Sequence, residues 1–306
     1  MNPWYKDYSE LLSEIFPGKK VQKISVNAGF GCPNRDGTLG TGGCIYCDNS
    51  SFSPAYCHKE LTVSQQILKG KEFFSRKYPQ MEYLAYFQNF TGTYGDISEL
   101  SALYREAISA DKVCGLIIGT RPDCISSEIL SELSCINRQI PVIIEYGAET
   151  SHDNTLQLIN RGHTWQQVEE SVYLTSEAGI RCGLHLICGL PGENSADILD
   201  TVETINRLPV DSVKFHQLQV IRGTRLHKML EKEEIQLSCF LLEDYLDLCI
   251  RIIGTLRKDI AIERFLSSAP PSMVVSPKWG IKNYEFTNLL HNLLEKRNTS
   301  TIKTER

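Results

Sequence analysis

The chain has 306 residues, of which 42% are hydrophobic, and its 32 basic and 37 acidic side chains give a formal net charge of −5. A chain of this length can bury a large core, and we expect one main domain with terminal additions. Acidic and basic residues are interspersed, so the charge indicates no nucleic-acid partner and says little about a substrate.

The first seven residues lack the apolar core of a secretory signal, and no later segment approaches the roughly 20 apolar residues of a membrane helix. The chain contains eleven cysteines, an odd number, scattered mostly through apolar segments. This usage is typical of reduced thiols rather than disulfides. We therefore expect a cytoplasmic protein that has no membrane partner.

Taken in order, the chain begins with an amphipathic segment around Leu11 and Phe16, which predicts a short helix ended by Pro17-Gly18. An alternating strand follows, and strands and helices then alternate. The predicted strands are 21–26, 83–88, 113–119, 141–146, 180–187 and 213–220. The predicted helices are 62–78, one beginning at 96, 126–135, 164–179 and 197–207, and a helical stripe runs from 241 to 256.

Six strands that alternate with helices predict a parallel sheet, and hence an α/β fold with a full or partial barrel. A doubly wound dinucleotide-binding sheet is the competing architecture. However, no Gly-x-Gly-x-x-Gly follows the first strand. We expect an N-terminal extension over residues 1–20, a core barrel over 21–262, and a C-terminal extension with a polar tail over 263–306.

A glycine-rich loop after the first strand gathers three thiols. Cys44 and Cys47 form a C-x2-C pair, and Cys32 lies at the start of the same loop. Three thiolates on a [4Fe-4S] cube leave one iron open to an outside ligand, which indicates reaction chemistry. The alternative is a zinc site with Cys57 as the fourth ligand, in a binding protein without catalysis.

Polar side chains follow or end all six predicted strands. The carboxyl ends of parallel strands meet at one rim, so these residues are expected to converge. They are Cys32, Gln88, Asn89, Thr91, Thr120, Arg121, Asp123, Glu145, His185, His216, Gln217 and Gln219. Each has a structural alternative: Arg121 and Asp123 could form an ordinary turn ion pair, and His185 could be hydrogen-bonded in the core.

Cys32, Cys44 and Cys47, with Tyr46 before the last cysteine, resemble the signature of radical S-adenosylmethionine (SAM) enzymes. The eleven-residue first gap, with Cys-Pro-Asn-Arg-Asp-Gly and Gly-Gly-Cys-Ile-Tyr-Cys, is similar to the YhcC-type subfamily, which is related to elongator-type cores. Gly-Thr-Arg-Pro-Asp at 119–123 resembles an elongator-type turn. His-Leu-Ile-Cys-Gly-Leu-Pro-Gly at 185–192 resembles the fifth strand of oxygen-independent coproporphyrinogen oxidases. The resemblance covers about residues 21–230.

The resemblance implies a partial (β/α)6, TIM-like radical SAM barrel with helical extensions at both ends. It implies a [4Fe-4S] cluster on the three cysteines and SAM as the second cofactor, cleaved to a 5'-deoxyadenosyl radical that abstracts hydrogen from a substrate. Tyr46 is expected against adenine, and Gln88, Asn89 and Thr91 near the methionine amino group. Arg121 and Glu145 are expected near the ribose or carboxylate, and His185 faces the same cavity.

The resemblance also implies a reductant protein such as flavodoxin or ferredoxin as a partner. Only Cys239 and Cys249 follow the sixth strand, so no auxiliary cluster is expected. Two kinds of substrate remain open. One is a nucleobase in RNA, and the other is a small metabolite or protein side chain.

Overall fold

The computed structural model describes residues 2–48, 51, 53–75 and 80–304, with side chains as far as residue 297. Strands alternate with helices along most of this length. The strands are β1 (Val21–Val26), β2 (Glu82–Phe87), β3 (Val113–Thr120), β4 (Val142–Glu149), β5 (Arg181–Cys188), β6 (Ser212–Gln217), β7 (Val220–Ile221), β8 (Ala261–Ile262) and β9 (Val274–Ser276). The helices are α1 (Tyr8–Ile15), α2 (Val63–Ser75), α3 (Ile97–Ser109), α4 (Ser127–Asn137), α5 (Asp153–Leu158), α6 (Trp165–Glu177), α7 (Ser195–Ile205), α8 (Arg225–Glu231), α9 (Leu242–Thr255) and α10 (Asn283–Thr304).

Seven strands form one parallel sheet in the order β1-β2-β3-β4-β5-β6-β8. The sheet curls into a partial barrel with helices on its outer face, which confirms the predicted fold class. Residues 143 and 144 of β4, for example, pair with Arg181 and Cys182 of β5. Every residue of β4 is buried, as expected for a parallel strand covered on both faces. The seventh strand, β8, extends the six predicted strands by one.

The predicted helix caps position the crossovers. Thr62 and Gln65 exchange hydrogen bonds ahead of α2, and Thr164 and Gln167 form a capping box ahead of α6. The predicted end of α2 near Tyr78 and Pro79 lies outside the described residues. Because the crossover helices begin at defined caps, the strand ends before them are held at one rim of the barrel.

Two parts of the topology differ from the prediction. The sixth strand was expected to run to residue 220, but β6 ends at Gln217, and Val220–Ile221 pairs antiparallel with Val274–Ser276. Polar and apolar residues are mixed on both sides of the break, from His216 to Val220, so the pattern could not reveal the change of partner. The short helix Asp153–Leu158 was also missed, and α7 begins at Ser195 rather than at 197.

The terminal segments pack onto the last strand and its flanking helices. Asp7 forms a parallel bridge with Ile262 of β8, and the ring of Tyr5 meets Phe265 edge-on at 5.8 Å. Helix α10 contacts α9 and buries Phe286 and Leu290. None of the helices in the described part of the chain is both long enough and apolar enough to cross a membrane.

Candidate active site

A cavity of about 200 Å³ opens at the carboxyl edge of the sheet. All ten residues predicted for the site line it. They are Cys32, Cys44, Tyr46, Cys47, Gln88, Asn89, Thr91, Arg121, Glu145 and His185. The structure therefore brings together residues from five strand ends and the cysteine loop, as the convergence of parallel strands requires.

Turns within the cysteine loop fix the three thiols. The Arg35 amide donates to the Cys32 carbonyl at 2.8 Å, and the Cys47 amide donates to the Cys44 carbonyl at 3.1 Å. Gly43 has a φ of 73°, and a side chain there would lie 2.7 Å from Arg35 Nε. Only glycine suits this position, since it combines a left-handed backbone with a close approach.

Arg161 reaches the cysteine loop from the segment after α5. Its Nη1 donates to Cys44 Sγ at 3.5 Å, and its Nη2 donates to the Gly147 carbonyl at 2.6 Å. The Glu149 carboxylate lies 3.4 Å from the same Nη2. Arg161 therefore joins the cysteine loop to the carbonyl and the carboxylate of β4.

Glu149 marks a bulge in the pairing of β4 with β5. Its φ is 69°, a left-handed conformation that non-glycine residues rarely adopt, and the register shifts between Gly147 and Glu149. The bulge leaves the Gly147 carbonyl to accept hydrogen bonds from Arg161 and His163. Backbone strain of this kind is often found beside functional sites.

His163 supports the strand-four bulge rather than the cavity. Its two ring nitrogens lie 3.2 Å from the Thr164 carbonyl and 3.1 Å from the Gly147 carbonyl. Burial, followed by the charges of Arg161 and Arg121, lowers the pKa of His163 to about 2. The imidazole is therefore neutral at neutral pH and serves as a structural hydrogen-bonding group.

The proposed fourth zinc ligand does not lie with the other three cysteines. The Cys57 thiol donates to Gln66 Oε1 at 3.4 Å and does not line the cavity. No three His, Cys, Asp or Glu side chains of the described residues converge on a point that could hold a single metal ion. Burial raises the pKa of the Cys47 thiol to about 11, so binding of a metal through this sulfur requires loss of its proton.

Residues after β2 and β3 form the wall beside the cysteine loop. Gln88 accepts a hydrogen bond from Ser25 at 3.1 Å, and Asn89 donates to Ser53 at 2.6 Å. The amide of Thr91 donates to the Gly31 carbonyl at 3.3 Å, which ties this wall to the loop. The predicted SAM contacts of Gln88, Asn89 and Thr91 stay predictions.

Arg121 forms the ion pair that the sequence left open as an alternative. Its guanidinium donates twice to the Asp123 carboxylate, at 2.9 and 2.8 Å, and its Nη1 donates to the Arg161 carbonyl at 2.8 Å. Only 2% of the Arg121 surface is exposed. Arg121 thus holds the segment that carries Arg161, and its own contact with a cofactor stays a prediction.

Tyr46 separates the loop from a small apolar cluster. It packs against the group formed by Ile45, Leu156, Ile159, Ile187, Leu190, Leu218, Val220 and Leu226. Burial raises the pKa of the Tyr46 hydroxyl well above its usual value, so the side chain stays neutral. A neutral aromatic ring on the cavity wall suits the predicted stacking on adenine.

Glu145 lies at the centre of a buried ion cluster, which we define as Lys23, Glu145, Lys214 and Glu263. Glu145 contacts Lys23 Nζ at 2.8 Å and Lys214 Nζ at 2.9 Å, and Glu263 contacts the same two lysines at 2.6 and 3.0 Å. The Tyr86 hydroxyl also donates to Glu145, at 2.7 Å. Although burial opposes ionisation, the two lysines hold the pKa of Glu145 well below its usual range.

His185 connects the ion cluster to the cavity. Its Nε2 lies 2.8 Å from Glu145 Oε2 and 3.2 Å from Lys214 Nζ. Burial, followed by the charge of Lys214, lowers the pKa of His185. Both alternatives for His185 thus have support, because the ring is hydrogen-bonded in the interior and also lines the cavity.

Sequence reasoning missed the three other members of the ion cluster. Lys23 lies in an alternating strand, where a polar residue normally indicates the solvent face. Lys214 likewise lies in a strand of mixed polar and apolar residues, Ser212–Gln217, so it resembled a solvent-facing lysine. Arg161, which is not part of the ion cluster, was also missed, because its contact with Cys44 spans 117 residues of sequence.

Three buried side-chain atoms of the cavity lining have no hydrogen-bond partner in the described part of the chain. They are Thr91 Oγ1, Arg161 Nε and Arg264 Nε. Leaving a buried polar atom unpaired costs roughly 1–3 kcal/mol. Their concentration around one cavity fits a site that receives polar ligands.

A parallel half-barrel with a three-cysteine loop at its carboxyl edge defines a cluster-binding α/β barrel protein. The family model of the radical SAM superfamily matches residues 26–205, and that of the radical SAM C-terminal domain matches residues 210–296. The chain therefore belongs to the radical SAM superfamily. Membership implies an iron–sulfur cluster and SAM as cofactors.

Relatives and solved structures agree with this assignment. Protein YhcC of Escherichia coli (strain K12) is 35% identical over 263 residues, which cover 86% of this chain and 83% of the relative. YtqA of Bacillus subtilis (strain 168) is 30% identical over 280 residues, covering 92% and 86%. The structure of archaeal Methanocaldococcus infernus Elp3, lacking residues 1–46, aligns with a TM-score of 0.72 and 16% identity.

That alignment covers 92% of this chain and 64% of the Elp3 chain, and at this identity it shows the shared fold alone. The predicted resemblance to the YhcC-type subfamily is confirmed, as is the partial-barrel fold.

Proposed function

We propose that this chain is a radical SAM enzyme whose Cys32, Cys44 and Cys47 hold a [4Fe-4S] cluster. When bound, the cluster and SAM would supply one-electron chemistry: with an electron from a reductant protein such as flavodoxin or ferredoxin, SAM would be cleaved to methionine and a 5'-deoxyadenosyl radical able to abstract hydrogen from a substrate in the barrel. One observation carries the proposal: the three thiols share a cavity with unpaired buried polar atoms from Thr91 and Arg161.

The residues on the cysteine side have defined tasks in this proposal. Arg161 balances charge at Cys44, and Arg35 donates to the Cys47 carbonyl at 3.0 Å, which holds the loop closed. Tyr46 supplies a flat apolar surface for adenine. Thr91 Oγ1 and Arg161 Nε are available to polar groups of SAM, because neither has a partner in the described chain.

The barrel wall limits the access of water. Apolar residues such as Ile187, Leu218 and Ile221 line the cavity together with the polar strand ends. A primary carbon radical reacts with whatever it meets first, so an enclosed site favours transfer from the intended substrate.

The test is anaerobic reconstitution with iron and sulfide, followed by iron analysis and an assay for 5'-deoxyadenosine after addition of SAM and dithionite. We expect four irons per chain and SAM cleavage. Cys47→Ala should lose both, whereas Cys239→Ala should keep both, because Cys239 is exposed and hydrogen-bonded to Ser276 outside this cavity. Stoichiometric zinc without iron uptake or cleavage would favour the non-catalytic alternative.

A further inference from the structure

Arg264 introduces a positive charge on the cavity wall beside β6. It follows β8, which forms one edge of the sheet, whereas the cysteine loop follows β1 at the other edge. The Arg264 carbonyl accepts a hydrogen bond from the Phe215 amide at 2.9 Å, so its backbone is fixed beside β6. The side chain lines the cavity.

Three other arginines line the cavity, and one of them, Arg35, donates to the Cys47 carbonyl at 3.0 Å. Arg121 pairs with Asp123, and Arg161 contacts Glu149 and Cys44. Arg264 has no ion pair among the described residues, and its buried Nε has no hydrogen-bond partner there. Its recorded polar contact is with His216 Nδ1, 3.5 Å from Nη2.

His216 cannot balance the charge of Arg264. Burial, followed by the charge of Arg264 itself, lowers the pKa of His216 well below its usual range. The ring is therefore neutral and carries one N–H group. Its Nδ1 lies 3.5 Å from Arg264 Nη2 and 3.4 Å from Ser267 Oγ.

The neighbouring ion cluster does not balance the positive charge of Arg264. Lys23 and Lys214 share Glu145 and Glu263, so two cations face two carboxylates. Arg264 adds a third cation, and no third carboxylate accompanies it in the described chain. A buried positive charge is stabilised when an anion completes the balance.

We infer that Arg264 and His216 form a subsite for an anionic oxygen group, a carboxylate or a phosphate, of the substrate. Gln219 supplements it, since its amide oxygen accepts from the Ala269 amide at 3.3 Å and its NH2 group is a further donor on the cavity wall. The inference rests on the proposed function for the identity of the ligand as substrate. It places the substrate's charge at the carboxyl ends of β6 and β8.

Equilibrium dialysis of the reconstituted, SAM-saturated protein tests the subsite, with labelled inorganic phosphate and labelled acetate as separate probes at constant ionic strength. We expect one of the two anions to bind at one equivalent per chain. Arg264→Gln should weaken that binding about tenfold or more, and Arg264→Lys should retain part of it. Arg251→Gln is the matched control, because Arg251 is exposed on α9.

The two probes separate the sources of the anion: preference for phosphate indicates a phosphorylated or nucleotide substrate, and preference for acetate indicates a carboxylate. No saturable binding of either anion, or full binding by Arg264→Gln, would overturn the subsite. If Arg264→Gln lowered the affinity for SAM as much as the affinity for the anion, the subsite would also be overturned, because Arg264 would then be a SAM contact. Repeating the dialysis on iron-free protein separates this inference from the proposed function, because the subsite contains no cysteine.

Discussion

The cavity joins two regions that use buried charge differently. On one side is the thiol face, which we define as Cys32, Arg35, Cys44, Cys47 and Arg161. On the other is the ion cluster of Lys23, Glu145, Lys214 and Glu263. In the ion cluster each carboxylate contacts both lysines. The thiol face instead contains an arginine whose Nε is buried without a partner.

The contrast is between paired charges that stabilise the fold and a buried polar atom that has no partner among the described residues. The ion cluster links β1, β4, β6 and the end of β8, so it fixes the interior of the barrel across four strands. In the thiol face Arg161 pairs with Glu149, but its Nε lacks a hydrogen-bond partner among the described residues. The ion cluster thus has paired charges, whereas the thiol face keeps an unpaired hydrogen-bond donor.

The largest expected effect is on the ion cluster. Glu145→Gln leaves Lys23 and Lys214 with one carboxylate between them, and removing one member of a buried ion pair costs about 3–5 kcal/mol. We expect the free energy of unfolding in urea, measured on iron-free protein, to fall by that amount. A loss below about 1 kcal/mol would show that the ion cluster does not hold the barrel together.

Mild acid should destabilise the fold through buried histidines on both sides of the cavity, since the pKa values of His163, His185 and His216 are all lowered. The pKa of His163 falls to about 2 on folding, so the unfolded chain binds a proton below pH 6.5 that the folded chain excludes. Stability therefore decreases as pH falls, by about 1.4 kcal/mol per pH unit, or about 2 kcal/mol at pH 5. The glutamates of the ion cluster lose their contribution only below about pH 4.5, because their pKa values are lowered.

Denaturation of the wild type and His163→Gln at pH 7 and pH 5 measures this effect. The wild type should lose about 2 kcal/mol more than the variant, since the other buried histidines are common to both. If the wild type and His163→Gln lost the same free energy of unfolding between pH 7 and pH 5, His163 would have to be protonated in the folded protein.

A smaller effect is expected on electron transfer if the proposed cluster is present. Arg161→Gln removes a positive charge 3.5 Å from Cys44 Sγ, which disfavours the reduced cluster. The Coulomb energy at that distance in water is about 1.2 kcal/mol, equivalent to roughly 50 mV for one electron. A redox titration followed by electron paramagnetic resonance should show a lower potential in Arg161→Gln and no change in Arg251→Gln.

The smallest effect is expected at an exposed ion pair. Lys19 and Glu82 lie 2.8 Å apart at the opposite edge of the sheet, with 44% and 33% of their side chains exposed. Glu82→Gln should change the free energy of unfolding by less than about 1 kcal/mol, because water already screens the pair. A loss comparable with that of Glu145→Gln would remove the distinction between buried and exposed pairs.

The sequence predicted the parts of the fold that depend on local pattern. Strand hydrophobicity and the capping residues Thr62 and Thr164 located most elements within a few residues. The site followed from a rule of topology, since parallel strands that end in polar residues must bring them to one rim.

The rest depends on contacts distant in sequence. Lys23 is 122 residues from Glu145 and Lys214 is 69 residues from it, so neither could be distinguished locally from a solvent-facing lysine. The β7–β9 pairing likewise joins segments on opposite sides of α8 and α9. In a half-barrel the inner face is partly polar, which weakens the usual inference from alternation to burial.

The bridge between Asp7 and Ile262 affects the order in which the chain can fold during synthesis. The Ile262 amide donates to the Lys6 carbonyl at 2.9 Å, and the Tyr5 hydroxyl lies 3.3 Å from His291 Nε2. The segment that contains Tyr5 and Asp7 therefore binds residues that are synthesised much later. Until residue 291 has emerged from the ribosome, this segment lacks part of its binding surface.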